Sequence, residues 1–346
     1  MATRIKTYDR DSNTELLRLI CMVFIVLHHF MIRCIVPETF DASALLMDAR
    51  IGSLFLNGFV SVGVNCFVLI SGYYLIRLKW RSFLKLYLTC MFYGLIGYAV
   101  YVLVDGGRFG GGVLWNSVFI FSHSGWWFIN CYVGLMLLAP ILNVCVEHVE
   151  KRAFQIILLC LTVANIYFGY FWQTDAFNNT GYTIAQFAYM YMMGAYIKRY
   201  VDVDHIRKYR YASLGIYVFC AVAWAILAIV NIKHPFGYID YVYNNPFVIV
   251  GAVAFFLFMQ SFHFSSKWVN WLSAGALAAY LIQDHPLLRI HTYSDVRTLM
   301  ETSNISIPTQ FVLCIGMSVA FVVICCMIDK IREGIVNIIL KIGERK

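Results

Sequence analysis

Arg18 and His29 lie within the first long apolar stretch of the chain, residues 16–32. They are eleven residues apart, which on an α-helix is about three turns, so both fall on one face and roughly 16 Å apart along the axis. An imidazole titrates near neutral pH and can take a proton from an attacking hydroxyl. Ionisable residues within apolar helices are costly and mark candidate functional sites. His29 is therefore the first candidate catalytic base.

Arg18 supports two interpretations. Its guanidinium can anchor a carboxylate or a phosphate through two hydrogen bonds. It can instead extend its charged head to the nearby membrane surface while its stem stays in apolar surroundings. The adjacent His28 is rotated by about 100° around the helix from His29, and we expect it to be a supporting neighbour.

A second candidate region is the segment 63–73, which carries Asn65, Ser71 and Tyr73 near the end of an apolar stretch. Small polar residues in such a place allow helices to approach closely or line a cavity. Four cations follow at once: Arg77, Lys79, Arg81 and Lys85. They predict either a phosphate-binding site or only the usual excess of cations in a cytosolic loop.

Aromatic residues open another apolar stretch, at Trp126, Trp127 and Tyr132. Aromatic belts at membrane interfaces explain such residues. A platform on which a sugar ring stacks is the alternative interpretation.

The elements that position these residues are predicted to be membrane-spanning helices. The 346 residues are 61% hydrophobic and only 13% charged, against about 25% charged in soluble proteins. Long windows without charge recur, for example residues 51–76 and 302–328. A span needs about 20 such residues. We therefore predict an all-α, polytopic membrane bundle of about ten spans, one of them over 272–286.

The distribution of Lys and Arg sets the orientation. With the N-terminus in the cytosol, most of the 27 cations fall in cytosolic segments, as the positive-inside rule requires. Both termini are then cytosolic, and residues 1–346 form a single domain whose tail, 331–346, is predicted to be an amphipathic helix on the inner surface. The net charge of +8 thus reports topology, and no nucleic-acid partner is expected.

The eleven cysteines do not form a Cys-x-x-Cys pattern. Neither a zinc site nor a disulfide framework is predicted. We expect no metal.

Taken together, these motifs resemble the acyltransferase-3 family of integral membrane proteins. The resemblance includes Arg18 followed by His29, the segment 65–73 with the basic loop behind it, and Trp127-Phe128 with Tyr132. It continues at residues 140–143 and at Ser273 with Tyr280-Leu281-Ile282. It covers nearly the whole chain, and the order and spacing of the motifs carry it.

The resemblance implies an enzyme that moves an acyl group, commonly acetyl from cytosolic acetyl-CoA, to a hydroxyl of a cell-surface or lipid-linked carbohydrate. His29 would be the base or the acyl carrier, assisted by Arg18 and His28. Acyl-CoA would bind near Ser71 and Tyr73, with contacts to the basic loop assigned loosely to Arg77, Lys79 and Arg81 because the family's Arg-x-x-Arg is not kept. The carbohydrate would meet Asn65, Trp126, Trp127, Tyr132 and His285. The expected location is the bacterial inner membrane.

One departure and two rival functions remain. The family often has a His directly after Tyr-Leu-Ile, where this chain has Gln283, and His285 follows two residues later. Either His285 substitutes for that histidine or the histidine was never catalytic. The rival functions are a transporter or flippase for a lipid-linked glycan and a catalytically silent sensor or partner subunit.

Overall fold

Every regular element of the described chain is a helix. The computed structural model describes residues 11–35, 44–104, 106–107, 109–123, 125–174, 176–178, 180–234, 242–302 and 305–343. Residues 1–10, whose cations contribute to the predicted orientation, and the last three residues of the predicted tail lie outside this range.

The first eight helices in chain order are α1 (Ser12–Phe30, continued by a π-helical turn over Met31–Ile35), α2 (Ala44–Val60), α3 (Gly63–Tyr74), α4 (Trp80–Leu103), α5 (Gly111–Val118), α6 (Ile120–His123), α7 (Trp127–His148) and α8 (Lys151–Thr162, continued by a π-helix over Val163–Phe171). The second eight are α9 (Ile184–Tyr200), α10 (Val203–Lys208), α11 (Arg210–Lys233), α12 (Pro246–Gln260), α13 (Lys267–Ser273), α14 (Ala276–Gln283), α15 (Arg289–Thr302) and α16 (Ile307–Gly343).

Seven helical segments within the described residues are long and apolar enough to cross a membrane: Ser12–Ile35, Ala49–Tyr74, Trp80–Leu103, Trp127–His148, Lys151–Phe171, Arg210–Ile232 and Ile307–Ile338. The predicted all-α, polytopic membrane bundle is confirmed. Shorter helices lie between these segments: α5, α6, α9, α10, α12, α13, α14 and α15. The number of about ten spans and the cytosolic termini stay predictions.

Helix α1 is packed on most of its perimeter. It contacts α2, α3, α12, α13, α14 and α16. Leu17 and Cys21 belong to one apolar cluster, shared with α3, α9 and α12, whereas Met22 and Val26 belong to a second, shared with α14 and α16. A helix that is apolar all round is a buried helix. Arg18 and His29 are thus carried by an element in the interior of the bundle.

Helices α3 and α9 approach until their backbones touch. A Cβ atom added at Gly72 would collide with the carbonyl oxygen of Tyr191, and one added at Gly194 would collide with that of Leu69. Small residues permit such close approach between helices in membranes. The α3 wall beside α1 is therefore firmly positioned.

The region of the span predicted over 272–286 contains the end of α13 and the whole of α14, with a turn between them, and its crossing of the membrane stays a prediction. α13 ends at Ser273, whose hydroxyl donates to the Glu15 carboxylate at 2.6 Å. At Gly275 a Cβ atom would stand only 2.7 Å from the carbonyl oxygen of Cys326. The turn between α13 and α14 is held against both α1 and α16.

The described part of the predicted tail is helical. Residues 331–343 continue α16 without a break, and the amphipathic placement on the inner surface stays a prediction.

Hydrogen bonds define the two ends of the bundle. At one end, the hydroxyl of Tyr74, the last residue of α3, donates to Asp11 at 2.7 Å. The hydroxyl of Ser12 at the start of α1 donates to Asn270 at 2.9 Å. We call this the basic end, because the loop with Arg77, Lys79 and Arg81 follows Tyr74 directly. At the other end, beyond His29, Arg33 and Arg289 each lie 3.4 Å from the carboxylate of Asp284.

Candidate active site

One cavity of about 220 Å³ lies beside α1, and both Arg18 and His29 line it. The shared face predicted from their spacing is thus a shared cavity wall. The other lining residues come from α1, α3, α4, α7, α14 and the turn before α12: Met22, Ile25, Val64, Phe67, Ser71, Leu86, Trp127, Phe128, Ile129, Tyr132, Tyr243, Leu277 and Tyr280. Mostly apolar and aromatic walls with a few polar groups are typical of a small-molecule site.

His29 is buried, with 9% of its surface exposed. Its Nδ1 lies 3.3 Å from Oε1 of Gln283 on α14. The amide nitrogen of Gln283 in turn donates to the carbonyl oxygen of Val26 at 3.2 Å. The imidazole is therefore held from the α14 side of the cavity.

His28 faces elsewhere. Its Nδ1 lies 2.7 Å from Oδ1 of Asn57 on α2, and its ring borders a small separate cavity next to Val60 and Ser61. The centroids of the two histidine rings are 5.6 Å apart. His28 is thus a neighbour of His29 that does not line the cavity shared by Arg18 and His29, in keeping with the rotation around the helix.

Arg18 lies towards the basic end of the cavity. One of its terminal nitrogens donates to the Glu15 carboxylate at 2.6 Å, one turn earlier on α1, and its side chain is 34% exposed. Glu15 also accepts the hydroxyl of Ser273. Arg18 thus keeps further donors for a ligand, while Glu15 sets its direction.

The three polar residues of segment 63–73 have different surroundings. Ser71 lines the cavity, with its hydroxyl donating to the Phe67 carbonyl at 3.0 Å. Tyr73 is buried, and the Lys198 ammonium sits over its ring at 4.5 Å. Asn65 is buried and donates to the carbonyl oxygen of Tyr243 at 2.9 Å. Only Ser71 of these three borders the cavity.

The basic loop is open to solvent. Arg77 and Lys79 lie in the linker between α3 and α4, Arg81 lies in the first turn of α4, and all three side chains are exposed. The linker begins at Leu75, whose φ is +55°, so the chain turns sharply after Tyr74. Exposed cations at the end of the bundle where α1 begins leave room for a large anionic ligand.

Two of the predicted aromatic residues line the cavity. Trp127 stacks on Tyr243 with ring centroids 5.3 Å apart, and Tyr132 stacks on Phe128 at 5.9 Å. These rings present flat apolar faces, the surface on which a sugar ring or an acyl chain can rest.

Trp126 and His285 are placed together, beside the cavity wall rather than in it. Trp126 is 1% exposed, and its ring meets the imidazole of His285 edge-on at 5.3 Å. Nδ1 of His285 accepts the backbone N–H of Leu287 at 3.3 Å. His285 is therefore packed against Trp126, and Gln283 is the residue that forms the hydrogen bond with His29.

Sequence reasoning missed three residues of the site. Glu15 and Gln283 hold Arg18 and His29. Tyr280 lines the cavity, and its hydroxyl is buried with no hydrogen-bond acceptor in the described part of the chain. Tyr280 and Gln283 are three residues apart, which places them on one face of α14. That spacing was the available signal.

With this geometry in hand, we compared the chain with known proteins. The acyltransferase-3 family model, described as an acyltransferase domain, matches residues 12–328. The chain belongs to the acyltransferase-3 family. No curated protein and no solved structure gave a significant match.

The acyltransferase-3 match begins at the first residue of α1 and ends within α16. It therefore includes the whole cavity and both candidate residues of α1. The resemblance inferred from the motifs is confirmed, and the protein is a multi-pass membrane acyltransferase.

Proposed function

We propose that this acyltransferase-3 protein moves an acyl group, with acetyl the expected one, from acyl-CoA at the basic end to a hydroxyl of a carbohydrate. The observation that carries the proposal is that Arg18 and His29 line one cavity on one face of a buried helix. Family membership supplies acyl transfer as the reaction class. The cavity supplies a place where a cation and a candidate base meet the same ligand.

The donor would bind from the cytosolic side, which we assign to the basic end. The nucleotide of CoA carries several phosphate charges and does not enter lipid. Arg77, Lys79 and Arg81 are exposed where it would dock, and cations at such a mouth attract polyanions. Arg18 and Ser71 lie further in, on the cavity wall, where they would meet the pantetheine arm or the thioester.

His29 would act as the general base. Its imidazole takes the proton of the acceptor hydroxyl while that oxygen attacks the thioester carbonyl carbon. The tetrahedral intermediate then expels the CoA thiolate, which receives the proton back from the imidazolium. Tyr280 lines the cavity and its buried hydroxyl has no hydrogen-bond acceptor among the described residues. This hydroxyl would be the donor to the oxyanion, the kind of stabilisation that acyl transfer requires.

A covalent route is the alternative for the same residue. The imidazole can attack the thioester itself, carry the acyl group and pass it to the acceptor. Kinetics separate the two routes, since the covalent route gives ping-pong patterns and acyl-CoA cleavage without acceptor.

The acceptor would approach from the His29 end. Trp127 and Tyr132 present ring faces on the cavity wall, which suits stacking of a sugar ring. We propose a cell-surface or lipid-linked carbohydrate as the acceptor and the bacterial inner membrane as the location.

The test is acyl transfer by purified protein in lipid nanodiscs, with labelled acetyl-CoA and a panel of polysaccharide acceptors. His29→Ala is expected to lower transfer by about 100-fold or more, the usual value of a positioned base. The matched control is His148→Ala, because His148 is exposed at the end of α7. Full activity of the His29 variant would refute its assignment.

Release of free CoA separates this function from the rival one. A flippase for a lipid-linked glycan moves its cargo without consuming a thioester. Glycan movement with no acceptor-dependent CoA release would favour the flippase.

A further inference from the structure

The side chain of Gln283 on α14 contacts two positions of α1 directly. It is 4% exposed, its Nε2 lies 3.2 Å from the carbonyl oxygen of Val26, and its Oε1 lies 3.3 Å from Nδ1 of His29. Residues 26 and 29 are three apart, so both contacts fall on the same face of α1. The amide fits this face in one direction only.

That direction follows from the donors and acceptors present. The carbonyl oxygen of Val26 only accepts hydrogen bonds, so the amide NH₂ of Gln283 must face it. The amide oxygen must then face His29. An amide oxygen also only accepts, and Nδ1 of His29 must therefore carry a hydrogen.

A neutral imidazole has one N–H and one lone pair. With the hydrogen on Nδ1, the lone pair is on Nε2. In the described part of the chain, the ring of His29 makes its one hydrogen bond through Nδ1, and the residue lines the cavity. Nε2 is thus the nitrogen left for a substrate proton.

We propose that Gln283 is a positioning residue that holds His29 as the Nδ1–H tautomer and so keeps Nε2 as the base. The catalytic part of this inference rests on the proposed function, whereas the tautomer does not. When Nε2 takes the proton, the Nδ1–H···Oε1 hydrogen bond persists, so the ring need not turn between the two halves of the reaction.

A neutral amide suits this place better than a carboxylate. A buried carboxylate costs several kcal/mol of desolvation unless it is paired. The cations nearest to this end of α1, Arg33 and Arg289, are already shared by Asp284. An amide sets the tautomer without adding a charge.

The competing explanation is that Gln283 only packs α14 against α1. A packing role predicts lower stability and leaves the tautomer unchanged. The experiment therefore reads the tautomer directly, by nuclear magnetic resonance of protein with ¹⁵N in its histidine rings. Signals of His29 are assigned by their loss in His29→Gln.

Three variants are compared with the native protein: Gln283→Met, which keeps the length and removes the acceptor; Gln283→Glu, which keeps an oxygen for Nδ1; and Gln155→Met, a control at an exposed glutamine of α8. We expect Nδ1–H in the native protein, in Gln283→Glu and in the control. We expect a gain of Nε2–H in Gln283→Met.

Turnover should follow the tautomer. Gln283→Met is expected to lower kcat by about tenfold, the equivalent of one lost hydrogen bond to the ring, with KM for both substrates within about twofold. Gln283→Glu should recover part of the loss, because it keeps an oxygen for Nδ1 but, when ionised, has no hydrogen for the carbonyl oxygen of Val26. Nε2–H in the native protein, or an unchanged tautomer and kcat in Gln283→Met, would overturn the proposal.

The two proposals fail separately. Loss of activity in His29→Ala with a fully active Gln283→Met would sink the role of Gln283 and leave the base in place. An active His29→Ala would sink the base, and the tautomer measurement would still decide what Gln283 does.

Discussion

Two ion pairs of the same local kind lie in two helices of this protein, and only one of them borders the cavity. Glu15–Arg18 on α1 and Asp329–Arg332 on α16 are both carboxylate–guanidinium pairs three residues apart. The shortest nitrogen–oxygen distance is 2.6 Å in each pair. The pairs differ in how many of the arginine N–H groups form hydrogen bonds within the protein.

Arg332 uses its donors within the protein. Its Nε and Nη2 both bind the carboxylate of Asp329, and its Nη1 donates to Thr89 at 3.0 Å. The Tyr93 hydroxyl donates a further hydrogen bond to the Asp329 carboxylate at 2.8 Å, and the Arg332 side chain is 4% exposed. Arg18 makes one such bond and is 34% exposed. The sequence spacing is the same in both pairs. The number of hydrogen bonds that the arginine makes within the protein therefore distinguishes the structural pair, Asp329–Arg332, from the candidate binding pair, Glu15–Arg18.

Breaking the buried pair should cost the most. Arg332→Ala leaves the Asp329 carboxylate buried without a cation, which typically costs about 3–5 kcal/mol. We expect a large loss of thermal stability, measured by the melting temperature in detergent, with turnover per folded molecule close to native. The double variant Asp329→Asn with Arg332→Met should regain much of the stability. A stable but inactive Arg332→Ala would contradict the structural role.

The balance between stability and activity is expected to differ at Arg18. Arg18→Ala should lower the melting temperature less than Arg332→Ala does, because Arg18 is partly exposed and makes one hydrogen bond, and the Glu15 carboxylate keeps the hydroxyl of Ser273. Transfer should fall by about 100-fold if the cation meets the donor substrate. Arg18→Lys, which keeps the charge without the planar fork, is the matched control. Native kcat/KM in Arg18→Ala would show that the residue only extends to the membrane surface.

The exposed loop should show a smaller, purely electrostatic effect. Replacing Arg77, Lys79 and Arg81 together by Ala is expected to raise KM for acyl-CoA about tenfold and to weaken its dependence on salt. Arg152→Ala, an exposed cation at the start of α8, is the control for charge at the same surface. Unchanged KM and salt dependence would leave these cations with a role in topology alone.

Two tyrosines repeat the contrast on a smaller scale. The Tyr93 hydroxyl donates to Asp329, whereas the Tyr280 hydroxyl is buried without a hydrogen-bond acceptor among the described residues. Tyr93→Phe should lower stability by about 1 kcal/mol and spare activity. Tyr280→Phe should spare stability and lower kcat severalfold. If Tyr93→Phe lowered kcat and Tyr280→Phe lowered only stability, Tyr280 would not be the donor to the oxyanion.

What the sequence predicted was local in character. The shared face of Arg18 and His29 follows from helix geometry alone, and the apolar windows predicted the helical membrane bundle. Contacts between distant residues were out of reach: His29 and Gln283 are 254 residues apart. The same applies to Trp126, which reads as an interface residue in the sequence and is enclosed by its packing against His285.

Local patterns also misled where tertiary contacts prevailed. An apolar window does not show a break, so the turn at Gly275 was missed. The pattern of the tail did not show that it continues the last long helix, α16. Asn65 carried no sign that it would bind the backbone of the turn before α12 rather than a ligand.

The contact between α3 and α9 divides the Ser71-Gly72 dipeptide into two kinds of position. Ser71 borders a ligand space and can be exchanged for another small polar residue at the expense of activity alone. Gly72 cannot be exchanged in this way, because one methyl group there would collide with the backbone of α9 and push α3 and α9 apart. In a library of random variants, position 72 should thus tolerate a single amino acid, and its intolerance would say nothing about phosphate or thioester chemistry.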